Sequence, residues 1–230
     1  MTTIKQKPSI WVTTVARLLS GDNVCEWAGW FKAHHQGFTK LTGGFNEGEW
    51  KMNHTAMLQN IRRNLLLQDP KADIRLEGEN QFWIEGQHID LGGKPDLVVR
   101  GQFTSLKGAY LDPSTVIIYD AKTGQPKAGD SVQMLLYMYG LPKVFEEFKG
   151  KPLIARLCYK GETLELDSRQ VTPEFIVRLT GLMMRLAQFE PEAKRVPSWN
   201  ECHWCEISKE DCSARIESGS AKNRATTEDF

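Results

Sequence analysis

Thr115-Val116-Ile117-Ile118-Tyr119-Asp120-Ala121-Lys122-Thr123-Gly124 constrains how the rest of this chain can be arranged. Its run of β-branched and aromatic residues reads as a central strand that ends on a carboxylate. Downstream, a helix is expected from about Ala128 to Tyr139, closed by Gly140-Leu141-Pro142. Leu153–Tyr159 and Thr163–Leu166 read as a hairpin around Lys160-Gly161, and Pro173 opens a last helix through Leu182 and Leu186. Upstream, Asp96-Leu97-Val98-Val99 is a second strand, entered from Gly92-Gly93. Phe82-Trp83-Ile84, Glu85-Gly86 and His88-Ile89 suggest a further hairpin. Asn53 is a good N-cap for a helix with Met57, Ile61 and Leu65 on one face, stopped by Asp69-Pro70. Trp11, Val15, Leu18 and Leu19 give a helical spacing over Pro8 to Gly21. This order of elements predicts an α/β or α+β domain around a mixed sheet.

The chain has 230 residues, and its 29 Lys+Arg balance 29 Asp+Glu. With 40% hydrophobic and 25% charged residues it has the composition of an ordinary globular protein, which excludes wholesale disorder and a collagen-like repeat. The length suits one domain with an appended lobe, here expected over residues 1–215. The polar residues 216–230 read as a flexible tail. Zero net charge excludes a uniformly basic nucleic-acid binder but leaves room for a local groove drawn from Lys40, Lys51, Arg62, Arg63, Lys94 and Lys127. No run approaches 18 apolar residues, and Met1 to Pro8 lacks a signal peptide's apolar segment, so no membrane association and a cytoplasmic location are expected. In a reducing compartment, clustered cysteines point to metal chemistry rather than disulfides.

The chemistry concentrates at the two strands. Asp96 begins one and Asp120 ends the other, so pairing of neighbouring strands would bring the carboxylates side by side. Two buried carboxylates repel, and a divalent cation relieves the repulsion. Oxygen ligands select Mg²⁺ or Mn²⁺. Alternation along a strand returns Lys122 to the face of Asp120, where an ammonium can stabilise charge developing on a phosphoryl group. An Asp-x-Lys triplet alone is expected about once by chance in a chain of this size; the apolar strand before it, Thr-Gly after it and the second acid give it context. Gln133 and Tyr137 share a helix face. They read either as the polar edge of a half-buried helix or as contacts to a phosphate or the acids. His54, in a first helical turn, is either structural or a further metal ligand.

Cys202-x-x-Cys205 and Cys212 cluster near the C-terminus. A fourth thiolate would complete a tetrahedral S₄ set for Zn²⁺ or an iron–sulfur cluster, and spacing does not choose between them. Cys25 is the better candidate for it. Cys158, in an apolar strand, is most simply a small buried hydrophobe, and His203 sits inside the Cys-x-x-Cys turn where its reach is poor. Trp27, Trp30, Trp199 and Trp204 flank these cysteines and could shield a cluster or stack on unpaired bases.

Taken together, His54, Gly93-x-x-Asp96, Asp120-x-Lys122-Thr123-Gly124 and Gln133-x-x-x-Tyr137 resemble the RecB-type branch of the PD-(D/E)XK nucleases over residues 50–165. The bracketing Cys25 and Cys202-x-x-Cys205-x₆-Cys212 are similar to the iron–sulfur members of that branch. Those members are the AddB-type subunits and the stand-alone CRISPR-associated or phage-borne exonucleases. Members often carry Cys-Pro-Arg at the first cysteine, where this chain has Cys25-Glu26-Trp27. The resemblance implies a restriction-endonuclease-like fold. It implies a Mg²⁺ or Mn²⁺ held by His54, Asp96, Asp120 and the Ala121 carbonyl. Lys122 would be the catalytic lysine, and Gln133 and Tyr137 an auxiliary pair contacting DNA. A [4Fe–4S] cluster on Cys25, Cys202, Cys205 and Cys212 would join segments 20–35 and 195–213 into a lobe. The implied activity is a DNA exonuclease preferring single strands or ends, in recombination, repair, phage or CRISPR-adaptation settings with proteins of those pathways as partners. Two other readings are a non-catalytic DNA-end-binding subunit and a zinc-stapled interaction protein.

Overall fold

The computed structural model describes residues 2–41, 46–189 and 193–217. In chain order they form β1 (Thr3–Ile4), β2 (Ser9–Trp11), α1 (Val12–Ser20), α2 (Glu26–His34), β3 (His35–Gln36), α3 (Glu47–Gln68), β4 (Asp73–Leu76), β5 (Phe82–Ile84), β6 (Asp90–Gly93) and β7 (Leu97–Arg100). There follow β8 (Val116–Ala121), α4 (Ala128–Val144), β9 (Leu153–Cys158), β10 (Thr163–Asp167), α5 (Pro173–Ala187) and α6 (Trp199–His203). Among these residues no helix is long and apolar enough to cross a membrane. The expected tail lies outside the described residues from 218 onward.

β8 is the middle strand of a five-stranded sheet, order β10-β9-β8-β7-β4, in which only the β8–β9 pair is parallel. All six of its residues are buried, as a strand covered on both faces must be. Val116 and Ile118 pack with Met134, Leu136 and Leu141 of α4. Ile117, Tyr119 and Ala121 face Leu58 and Leu65 of α3. α1 lies along α4, and α2 packs on α5. The α/β class and a mixed sheet flanked by helices are as expected. Two small sheets accompany it, β2-β6-β5 and β1-β3.

Several boundaries differ from the sequence expectations. Residues 9–11 are not helical but pair in parallel with β6, so α1 starts at Val12. Gly21, at φ +82°, closes it as expected. α3 begins six residues before Asn53, capped by Asn46, whose side chain accepts from the Glu49 amide. Its first turns are exposed and carry no apolar period. The hairpin partner of β5 is Asp90–Gly93, so Gly92-Gly93 lies inside a strand.

α4 runs through Gly140 and Pro142 to Val144. The reason is Phe82, a fully buried ring wedged between Gly93 and Gly140; a Cβ at either glycine would overlap it. These glycines are clearances for a side chain, so they do not break their elements. Gly140→Ala is therefore expected to destabilise the protein by about 1–3 kcal/mol through overpacking. The check is urea unfolding, where an unchanged midpoint would contradict it.

Candidate active site

Antiparallel pairing sets Leu97 of β7 opposite Tyr119 of β8. Asp96 directly precedes β7 and Asp120 lies next to Tyr119 in β8, so the register brings the two acids to the same end of the pair. Both are buried, 9% and 3% exposed. Alternation puts Asp120 on the α4 face and returns Lys122 to it. Lys122 Nζ stands 2.7 Å from Asp120 Oδ2 and donates to Gln133 Oε1 at 3.1 Å. Gln133 Nε2 donates to Asp120 Oδ1 at 3.0 Å and to Tyr137 Oη at 2.9 Å. Tyr137 Oη in turn donates to the Lys94 carbonyl at 3.2 Å. From α3, His54 Nε2 comes within 3.1 Å of Asp96 Oδ2, and the Ala121 amide donates to the same oxygen at 2.7 Å.

His54, Asp96, Asp120, Ala121, Lys122, Gln133 and Tyr137 thus line one cavity of about 470 Å³. Lys94 and Lys127 also line it; Lys40, Lys51, Arg62 and Arg63 do not. The contact made by Ala121 is through its amide N–H, whereas the resemblance assigns a role to its carbonyl.

Electrostatics follow from the burial. Desolvation pushes Asp120 up to about 6; Lys122 opposes the shift and Asp96 adds to it. His54 is raised chiefly by its hydrogen bond to Asp96 against the effect of burial, helped by the charge of Asp96, Asp120 and Glu77. Burial works to lower Lys122, but the carboxylates of Asp120, Asp130 and Asp96 outweigh it and hold the ammonium charged. Tyr137 is held well above its ordinary value by burial and by Asp120 and Asp96, so its hydroxyl stays protonated.

Asp120 Oδ2 is buried and accepts no directed hydrogen bond, although the ammonium is close by. Among the described residues no three His, Cys, Asp or Glu side chains close into a ready metal-ligand group. The donor chemistry fits a hard cation all the same: two buried carboxylates lining one cavity, beside an imidazole.

A pH dependence follows. Asp120 keeps in the folded state a proton that the unfolded chain releases near 3.8, so folding gains from it at low pH and loses that gain as pH rises toward 6. In metal-free protein, wild-type stability relative to Asp120→Asn is expected to fall by about 3 kcal/mol in all between about pH 3 and 7 and to stay level above. Urea unfolding in EDTA across that range measures it, and a flat difference would contradict it.

The cysteines gather at a second place. Cys25 directly precedes α2, which is tied to the C-terminal segment by Trp27 N–H to the Lys194 carbonyl at 3.2 Å and by Lys32–Glu206 at 2.6 Å. Leu41 N–H donates to the Glu206 carbonyl at 2.9 Å. Cys25, Cys202, Cys205 and Cys212 line one small cavity, and none is in a disulfide. The Val196 amide donates to Cys25 Sγ at 3.5 Å, and burial raises the Cys205 thiol. Four sulfurs around one space, one already accepting an N–H, are a donor set suited to a thiophilic ion or cluster. Cys158 is buried under α3 and His203 is outside this cavity, as expected of each. The tryptophan shield is only partial: Trp27 is buried, but Trp204 is 79% exposed.

No family model matches this chain. No curated protein matches it either. The solved structure of SSO0001 is similar to it at 15% identity over 93% of this chain and 90% of that one, with a TM-score of 0.46. That likeness is too distant to bear on fold or activity.

Three site neighbours escape the sequence reading. Asp22 Oδ2 accepts the Gly129 amide at 2.8 Å, capping the start of α4 beside the cavity. Asp130 Oδ1 lies 3.6 Å from Lys122 Nζ, and Asp130 Oδ2 accepts from Tyr159 Oη at 2.9 Å. Trp50 stacks on His54 with ring centroids 5.0 Å apart. Only Asp130 carried a signal, being three residues before Gln133 and so on the same helix face. Nothing in the sequence marks Asp22, and the misplaced start of α3 hid Trp50.

Proposed function

We propose that this chain is a metal-dependent DNA exonuclease of the PD-(D/E)XK type, RecB branch, that hydrolyses phosphodiester bonds of single strands or ends. One observation carries the reading: Asp96, at the entry to β7, and Asp120, in the paired strand β8, line one cavity with Lys122, which stands 2.7 Å from the second acid. Asp96, Asp120 and His54, with the Ala121 carbonyl, would hold Mg²⁺ or Mn²⁺, which when bound supplies an acidified water and neutralises phosphate charge. Lys122, kept charged by its carboxylate neighbours, presents an ammonium to the phosphoryl oxygens as charge develops on them. Gln133 fixes the position of that ammonium and of the Asp120 carboxylate together. Tyr137 buttresses Gln133 from one turn further along α4.

Cys25, Cys202, Cys205 and Cys212 would hold a [4Fe–4S] cluster that ties α2 to the C-terminal segment as a structural staple. The setting in this reading is cytoplasmic DNA recombination, repair, phage or CRISPR-adaptation metabolism, with proteins of those pathways as partners. Incubation of labelled single-stranded DNA with Mn²⁺, Mg²⁺ or EDTA tests the activity. Cleavage with metal and none in EDTA is expected. DNA retained in EDTA, with no cleavage in either Mn²⁺ or Mg²⁺, would instead identify a non-catalytic end-binding subunit.

A further inference from the structure

A few residues from segments that line the cavity, the protein carries a feature that hydrolysis does not require. In the three-stranded sheet, Trp11 of β2 pairs with Gly92 of β6, and Gly92 pairs with Trp83 of β5. The two indoles flank the glycine in one row, with ring centroids 4.9 Å apart and planes inclined by 60°, so that one ring can receive a base while the other walls its edge. The six-membered ring of Trp83 lies over Gly92, where a Cβ would stand 2.6 Å from it. Gly92 therefore lets the indole approach the strand more closely than any side chain there would allow.

Both rings remain open, Trp11 42% and Trp83 36% exposed. Covering a bare glycine accounts for Trp83 but not for a second exposed indole beside it. β6 and β2 both run on from this row into residues that line the cavity. Lys94, two residues beyond Gly92 and about 7 Å along an extended chain, lines it. So does Thr13, two residues beyond Trp11.

We infer that the Trp11–Trp83 pair, two residues back from Lys94 of the cavity lining, is a stacking platform for an unpaired nucleobase of the strand whose phosphate enters the cavity. This deepens the nuclease reading and rests on it for the identity of the strand. Indole faces accept any base, whereas a duplex keeps its bases stacked on each other, so the platform selects single strands without reading sequence. Lys94 sits where it meets the phosphate between the stacked nucleotide and the one in the cavity.

The experiment is fluorescence anisotropy of the full chain in EDTA, where nothing is cleaved. It compares a labelled oligo-dT with an abasic phosphodeoxyribose strand of equal length and charge. The wild type is expected to bind oligo-dT about tenfold more tightly than the abasic strand. The Trp11→Leu, Trp83→Leu double variant keeps an apolar cover over Gly92 and is expected to bind both strands equally. Should that variant fail to fold, Trp11→Leu alone, which uncovers no glycine, is expected to reduce the preference. A wild type that binds neither strand or both equally overturns the platform, as does a folded variant that keeps the preference. Base preference without hydrolysis in any metal would uphold the platform and overturn the nuclease; hydrolysis without base preference would do the reverse.

Discussion

Lys122→Ala is expected to lower Mn²⁺-dependent hydrolysis of single-stranded DNA by about 10²–10³-fold, the usual effect of removing one preorganised charge partner of a transition state. The ammonium has three polar neighbours, Asp120, Gln133 and Asp130, and all are fixed by the sheet or by α4. Arg17, Lys94 and Lys127 line the same cavity from other segments, and none of them shares these contacts to Asp120 and Gln133. Asp120→Ala is expected to cost at least as much, since it removes the oxygen that lacks a directed hydrogen bond together with the anchor of Lys122. Initial rates on end-labelled DNA measure both, with thermal unfolding to establish that each variant folds. Undiminished cleavage by either would remove the mechanism.

Cys205→Ala is expected to have the largest effect on the lobe. Wild-type protein purified without oxygen should absorb broadly near 400 nm and contain iron and sulfide, and the variant should contain neither. A cluster that links Cys25 to Cys202, Cys205 and Cys212 closes nearly the whole chain into a loop. By analogy with a disulfide of that span, its loss should cost about 2–5 kcal/mol. The cost falls where α2 meets the C-terminal segment, held otherwise by the Lys32–Glu206 pair and a few backbone bonds. Limited proteolysis should therefore cut near residues 193–217 in the variant first. Colourless wild-type protein containing zinc would reassign the cofactor, and colourless protein with no metal would remove it.

The central sheet was legible because β8 and β9 are apolar runs whose ends carry turn residues, and period alone places them. The convergence of Asp96 and Asp120 was legible for the same reason: strand ends in adjacent sequence units tend to pair. What could not be read was clearance. Gly92, Gly93 and Gly140 look like breakers until Trp83 and Phe82 are seen lying against them. The start of α3 was missed because its first turns face solvent and carry no apolar stripe; only the cap at Asn46 marks it. Asp22 was invisible because it joins α4 across more than a hundred residues of chain, a contact that no local pattern encodes.

Crystals soaked in Mn²⁺ and measured at the manganese edge probe the two buried carboxylates without mutation. An anomalous peak within oxygen-bonding distance of both Asp96 and Asp120, abolished in Asp120→Ala crystals, is the expected result. A protein that cleaves DNA at that Mn²⁺ concentration but shows no peak between the two acids would contradict the assignment of this cavity as the site of hydrolysis.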